Sequence, residues 1–353
     1  MTLDRDRCVQ YLRDNAGPVI RCRTAVELMG SDPPTLEEER TRSPHVQRWL
    51  ASLGSDLGRS GLHGAGPDTF ENVMGKLYEA GLRKGAPELD ARTAPFREWM
   101  AEQCDLPVSG YLPVFHRTLV TAFLAMTGYG DEDAVRRWAE KRLDTVHRFA
   151  RGGDLDTIYV PPERMPFLPR AFRGVPLLDP ALYPDEDLEL PWVHDLNAFL
   201  HTPSIMEDAV QRSRVETVVR FILSPEYQSL RPGYGVVKHG SHYYMMGWSV
   251  HLPGFSGPPP QGPELGRTLI LASMLGRSAA AREHPWFARS LHAMEGHGHD
   301  GGLLCFPSSS LPEKRSGVWI LGSRMALDEG RRTLRARVCE STFRYLEISS
   351  RCR

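Results

Sequence analysis

The 353-residue chain has no run of about 18 apolar residues, so no segment reads as a membrane-crossing helix. An excess of one charge is also lacking. The chain has 43 basic and 44 acidic residues and a formal net charge of -1, so nothing steers the whole molecule toward nucleic acid or an anionic membrane. The six cysteines (Cys8, Cys22, Cys104, Cys305, Cys339 and Cys352) form no Cys-x-x-Cys pair, which leaves them as small buried hydrophobes or free thiols. The opening Met1-Thr2-Leu3-Asp4-Arg5-Asp6-Arg7 is charged and has no apolar stretch of the signal-peptide kind. A cytoplasmic location is the expectation. No shift in composition marks a boundary, so residues 1–353 read as a single domain.

What is present is helix after helix. Val46, Trp49, Leu50 and Leu53 fall on one helix face, with Ser43 as cap, Pro44 in the first turn and Gly54 as stop. Phe70, Val73, Met74 and Leu77 form the next stripe. Asp68 and Glu71 stand at capping-box spacing before it, and Gly81 ends it. Helical patterns follow over 111–127, over 132–150 with Asp131 as cap, and over 191–201, 212–223, 264–276, 284–295 and 328–348.

Two stretches break the pattern. Residues 151–190 hold seven prolines, from Pro161 to Pro184, and the acidic run Asp185-Glu186-Asp187. Proline at that density forbids a long helix. Residues 231–263 are rich in Gly, Pro and aromatics, and Tyr234–Val250 could hold a short strand or hairpin. Helices this short and one-sided must stack in pairs, as an open solenoid or a closed ring.

Three stretches resemble the squalene–hopene cyclase and protein prenyltransferase superfamily. They are the helix start Pro18–Thr24, Leu62-His63-Gly64 leading into Phe70–Gly81 and Pro87–Met100, and the turn His299-Asp300-Gly301-Gly302 before Phe306-Pro307. The resemblance implies an all-α fold, an α/α toroid of repeated helix pairs, here with the two irregular loops. It also implies isoprenoid chemistry. The Asp-x-Asp-Asp acid of the cyclases is not present in its usual form: Asp154-Leu155-Asp156-Thr157 is one carboxylate short. No Asp-Asp-x-x-Asp cluster stands ready for magnesium, and the Cys-His-Gly zinc motif of the lanthipeptide cyclases is missing.

Five residues are candidates for proton transfer: Asp300, Glu340, His63, Asp154 and Asp156. A loop histidine can act near neutral pH, and adjacent carboxylates push one pKa up. Against this, Asp154 and Asp156 also suit a turn, and His63 a cap. Tyr234, His242, Tyr243, Tyr244, Trp248, Trp286, Phe306 and Phe343 are candidates for an aromatic substrate pocket, or for core. His297, His299 and Cys305 have the chemistry of a zinc site, or of a solvated turn. Ser341 and Thr342 beside Glu340 face a cavity or bond back to their own helix, and Arg331, Arg332, Arg335 and Arg337 form a solvated face or an anion site. The leading expectation is a cofactor-free enzyme that cyclises or rearranges a mainly apolar small molecule. The alternatives are a helical-repeat binding or scaffold protein and a zinc-dependent enzyme at His297, His299 and Cys305.

Overall fold

Amphipathic periodicity accounts for most of what forms. The computed structural model describes residues 3–31, 33–54, 59–108, 111–183, 187–330 and 332–352, with the side chains of 59 and 60 left out. Helix outweighs strand by 62% to 5%, so the chain is mainly α. Along the chain come α1 (Arg5–Asn15), α2 (Pro18–Arg23), α3 (Pro34–Arg42), α4 (Pro44–Ser52), α5 (Arg59–Leu62), α6 (Phe70–Glu79) and α7 (Pro87–Gln103). Then follow α8 (Tyr111–Leu124), α9 (Asp133–Gly152), α10 (Val193–Leu200), α11 (Pro203–Glu207), α12 (Ala209–Ile222) and α13 (Pro225–Ser229). The hairpin β1 (Val236–His239) and β2 (His242–Met245) leads to α14 (Pro263–Leu275), α15 (Ala279–Glu283) and α16 (Pro285–Glu295). A two-residue pair, β3 (Gly298–His299) and β4 (Leu303–Leu304), precedes α17 (Leu334–Ser349).

The start and stop signals mostly act as expected. Ser43 Oγ accepts from Val46 N with Pro44 in the first turn of α4, and Gly81 follows α6 at φ +78°. Of the short strand or hairpin expected within 234–250, the hairpin is what forms, the antiparallel β1–β2 pair. Other signals are redirected by tertiary partners. Asp68 does not cap α6, because that helix begins at Phe70 behind Thr69 and Glu71 turns back to the preceding loop. Asp131 does not cap α9. Glu132 holds that position, and Asp131 Oδ1 accepts from Ser204 N at the start of α11. The last helix starts at Leu334 instead of 328. The 151–190 stretch contains single 3₁₀ turns at Leu155–Thr157, Pro162–Arg164, Arg170–Phe172 and Pro180–Leu182. Pro184, Asp185, Glu186 and Arg331 lie outside the described residues.

Contacts gather into two units: Met1–Phe96 with Pro253–Arg353, and Arg97–Leu252. In the first, α1 packs on α17, α14 on α17 and α4 on α6. Helix α6 is buried from end to end. Its Gly75 would be a helix-weakening choice in isolation, but a Cβ there would lie 2.4 Å from the Trp319 ring, so the indole occupies the space a side chain would need. Trp319 belongs to a strap, residues 312–330, that crosses α6 and α17. The strap ends on Asp328, whose two carboxylate oxygens accept from Val19 N (2.9 Å) and Ile20 N (3.2 Å) at the start of α2. Gly17 sits so close to this carboxyl that a Cβ would be 2.5 Å from its carbon.

In the second unit α8 packs against α9 and α10, and α12 against α9. Trp138 of α9 is fully buried and donates to Thr118 Oγ1 of α8 at 3.1 Å. The proline-rich stretch joins the hairpin through Leu178 N to Val236 O (2.8 Å).

Two outcomes follow for the first unit. Gly75→Ala gains about 1 kcal/mol of helix propensity but forces the Trp319 ring away. A net loss of about 1–3 kcal/mol in urea unfolding is expected, and a stabilised variant would contradict the packing described. Burial raises Asp328 from 3.8 to about 6, against the two N–H groups that favour its charge. The folded chain holds this proton more tightly than the unfolded chain. The group's contribution is therefore full below about pH 4 and is lost, by about 3 kcal/mol, as pH rises through 6. Asp328→Asn should remove that component from the pH profile of unfolding.

Candidate functional site

His63 stands in the loop between α5 and α6. Its Nδ1 lies 2.9 Å from Glu71 Oε1, and the Glu71 side chain is 1% exposed while the His63 side chain keeps 30%. Glu71 is one residue into α6, which aims its carboxylate back at the loop. The same oxygen accepts from Gly64 N at 3.1 Å. The loop is held from several sides. Asn72 Nδ2 donates to Gly66 O (2.6 Å) and Gly317 O (3.1 Å), and its Oδ1 accepts from Trp319 N (2.7 Å). Arg324 donates to Ala65 O at 3.0 Å. Gly64 adopts φ +152°, a conformation that side-chain-bearing residues avoid. The result is a part-exposed imidazole in a rigid loop, backed by a buried carboxylate.

The other candidate acids of this unit are placed differently. Glu340 is 2% exposed and accepts from Arg344 Nε at 3.2 Å. Arg344 also donates to Glu79 Oε1 (2.9 Å) and Met325 O (2.6 Å). Lys76 completes the group, 3.5 Å from Glu79 Oε2, with bonds to Arg324 O and Ala326 O. Burial pushes Lys76 down. It would also raise Glu79, but Arg344 and Lys76 hold that carboxyl below its usual range. Asp300 is exposed in the turn after β3.

His297, His299 and Cys305 lie along the β3–β4 pair, with Cys305 N bonded to His297 O at 3.0 Å and Cys305 Sγ 3.4 Å from Arg337 Nε. Burial pushes His297 down. Among the described residues no three His, Cys, Asp or Glu side chains gather as a metal-ligand group. Trp286, Phe306 and Phe343 are buried core residues. Trp286 Nε1 donates to Pro253 O, Ser341 Oγ accepts from Phe306 N, Thr342 Oγ1 accepts from Leu304 N, and Phe343 lies under Arg23.

In the second unit Asp154 and Asp156 are exposed, and Asp154 Oδ1 accepts from Asp156 N at 2.9 Å, a turn bond. Tyr234 is fully buried, and its hydroxyl donates to Pro191 O at 2.6 Å and meets Tyr227 Oη at 2.6 Å. Tyr234 (φ 58°) and Trp248 (φ 67°) both hold left-handed backbone, a costly state for large side chains that concentrates at functional positions. Gly233 and Gly247, each just before one of these residues, approach so closely that a Cβ on Gly233 would be 3.2 Å from the Gly247 Cα. The Trp248 ring lies 5.7 Å from that of the fully buried His194. His242 is exposed on the hairpin, Tyr243 meets Phe172, and Tyr244 meets Tyr111. A pocket of about 220 Å³ opens beside these rings, lined by Tyr111, Tyr183, Lys238, His239 and Met246 among others. The sequence-based candidates thus fall into two sets: acids, zinc candidates and three aromatics in the first unit, the remaining aromatics with Asp154 and Asp156 in the second.

The sequence reading missed Glu71 as the partner of His63, the Lys76–Glu79–Arg344 group and the ion pair Arg142–Asp195. In that pair Nε and Nη2 of Arg142 reach the two oxygens of Asp195 at 2.9 Å each, with both side chains fully buried. Asp187 and Leu188 O also hold Arg142. The available signal was a charged residue on the buried face of a helix.

Comparison with protein-family models, with curated proteins and with solved structures finds no match. For the second unit, Arg142→Met should cost about 3–5 kcal/mol in urea unfolding, because it leaves the Asp195 carboxylate buried without its cation. A loss below about 1 kcal/mol would show that the pair contributes little.

Proposed function

We propose that the chain is an enzyme acting on a small, mainly apolar molecule by acid–base catalysis. In this reading His63 moves the proton, Glu71 is its positioning residue, and the helix pairs are arranged as an α/α toroid. The observation that carries it is the 2.9 Å pairing of a part-exposed imidazole with a wholly buried carboxylate. Cyclisation or isomerisation of an isoprenoid-like substrate needs a group that takes a proton at one position and returns it at another. Imidazole does both near neutral pH. Glu340 is engaged by Arg344, and Asp154, Asp156 and Asp300 sit at exposed turns, so His63 has the strongest claim to the role. The packing of successive helices supports the toroid. A binding or scaffold protein is the competing reading, favoured by Phe167, which is 83% exposed on the proline-rich stretch.

The test is untargeted mass spectrometry of a metabolite extract incubated with the purified protein and its variants. The wild type should consume at least one metabolite that His63→Asn leaves untouched. Glu71→Gln should slow kcat by about 10²–10⁴-fold with KM unchanged and shift the pH–rate profile. Turnover that survives in His63→Asn would sink the assignment. A wild type that consumes nothing would favour the scaffold.

A further inference from the structure

The pocket of about 220 Å³ in the second unit plays no part in the acid–base reading. Its origin is a gap in a sheet. Val236 of β1 uses both its peptide groups on the extended segment 176–178. Val236 N donates to Pro176 O at 2.9 Å, and Leu178 N donates to Val236 O at 2.8 Å. Along a strand the N–H and C=O of every second residue face the same side, so Lys238 presents its own pair to that edge. In a parallel ladder the next rung would run from the N–H of residue 180 to Lys238 O. Residue 180 is proline, which has no N–H, and the chain turns off there into the 3₁₀ turn Pro180–Leu182. The Lys238 N–H keeps only a long 3.5 Å contact with the Tyr183 hydroxyl. The pocket opens where the two segments part, and Pro180, Tyr183, Val237 and Lys238 all belong to its wall.

One side of the pocket is apolar and fixed. The Tyr111 ring is held against Phe115, Trp192 and Tyr244 at centroid distances of 6.2, 5.9 and 6.0 Å, and its hydroxyl donates to Met246 O at 3.2 Å. Tyr111, Val237 and Met246 are buried, so a ligand would find this side already ordered. The open side chains on the polar side share one sign. Tyr183 Oη accepts from Lys238 N and donates to no group among the described residues. Burial pushes the Tyr183 phenol up; the Lys238 N–H works against this and Asp179 with it, so at neutral pH the hydroxyl keeps its proton and stays a donor. Lys238 is exposed, and its ammonium has neither an ion-pair nor a hydrogen-bond partner among the described residues. No aspartate or glutamate is among the described residues of the wall.

We infer that this pocket binds a small monocarboxylate with a flat apolar body. The carboxylate accepts from the Tyr183 hydroxyl and the Lys238 N–H, the Lys238 ammonium supplies the opposite charge, and the body lies against Tyr111, Val237 and Met246. The volume is well under the roughly 300–1,000 Å³ of sites for drug-sized ligands, which sets the body at about one ring. The Lys238 carbonyl, left without its rung, faces the same edge. A primary amide is therefore the competing head group, since it would answer both peptide groups of Lys238 but not the ammonium. The site is independent of His63, and either can hold without the other.

Isothermal titration calorimetry of the full chain at low ionic strength tests this with benzoate, benzamide and benzylamine, which carry a similar ring and three different head groups. One saturable site is expected for benzoate, with benzamide bound about tenfold more weakly and benzylamine not at all. Lys238→Met should weaken benzoate by about three- to tenfold, the modest range set by the exposure of the ammonium, and should leave benzamide unchanged. Its exposed position leaves the core untouched. Tyr183→Phe keeps the ring, removes the donor and should weaken benzoate by about fivefold or more. Absence of saturable benzoate binding, benzamide or benzylamine binding as tightly as benzoate, or full benzoate affinity in either variant would overturn the inference.

Discussion

Every residue of α6 from Phe70 to Glu79 is buried, and four of them, Glu71, Asn72, Lys76 and Glu79, carry polar groups that water cannot reach. A buried polar group without a partner costs more than most single contacts return, so each of these four dictates what lies beside it. Glu71 draws in His63 and the loop amide of Gly64. Asn72 draws in that loop and the strap. Lys76 takes two strap carbonyls, and Glu79 takes Arg344 of α17. The carbonyls at the far end of the same helix take Arg23 and Arg83. The imidazole pair and the arginine-capped terminus are therefore two answers to one constraint, set at opposite ends of a helix with no wet face.

The second unit answers a similar demand with one cation. Arg142 on α9 ties together α10, through Asp195, and the end of the irregular stretch, through Asp187 and Leu188. The tyrosine pair Tyr227–Tyr234 does the same for the approach to the hairpin, passing a hydrogen bond on to Pro191 O. In both places a long stretch with little regular structure is fixed by buried polar contacts more than by its own backbone ladder.

Most helices were legible because their apolar residues recur every three or four positions, and that spacing is a local property. The ends were less legible. Asp68 was misread because Glu71 turns back to Gly64 of the preceding loop, and Asp131 and the start of the last helix because Asp131 and Asp328 bond to groups far along the chain. The functional side was legible in part. His63 stood out as a loop histidine before a helix. Its partner was hidden, because Glu71 has the spacing of a capping box and is used otherwise. Lys76 and Glu79 were hidden more deeply. A stripe of Phe70, Val73, Met74 and Leu77 implies a dry face and a wet one. Nothing near α6 in the sequence says that Trp319, Arg324 and Arg344 will cover the wet one.

The strap from 312 to 330 also orders events in time. Its anchors join residues separated by some 250 to 300 positions: Asn72 with Gly317, Lys76 with Arg324, and Val19 with Asp328. During synthesis the N-terminal helices emerge long before these partners exist. Until the strap arrives, α6 carries a lysine and an asparagine, Lys76 and Asn72, that belong in the interior but lack the contacts that make the interior tolerable. Such distant closure is slow and leaves apolar faces open meanwhile. The first unit is therefore completed after the second, although part of it is made before the second.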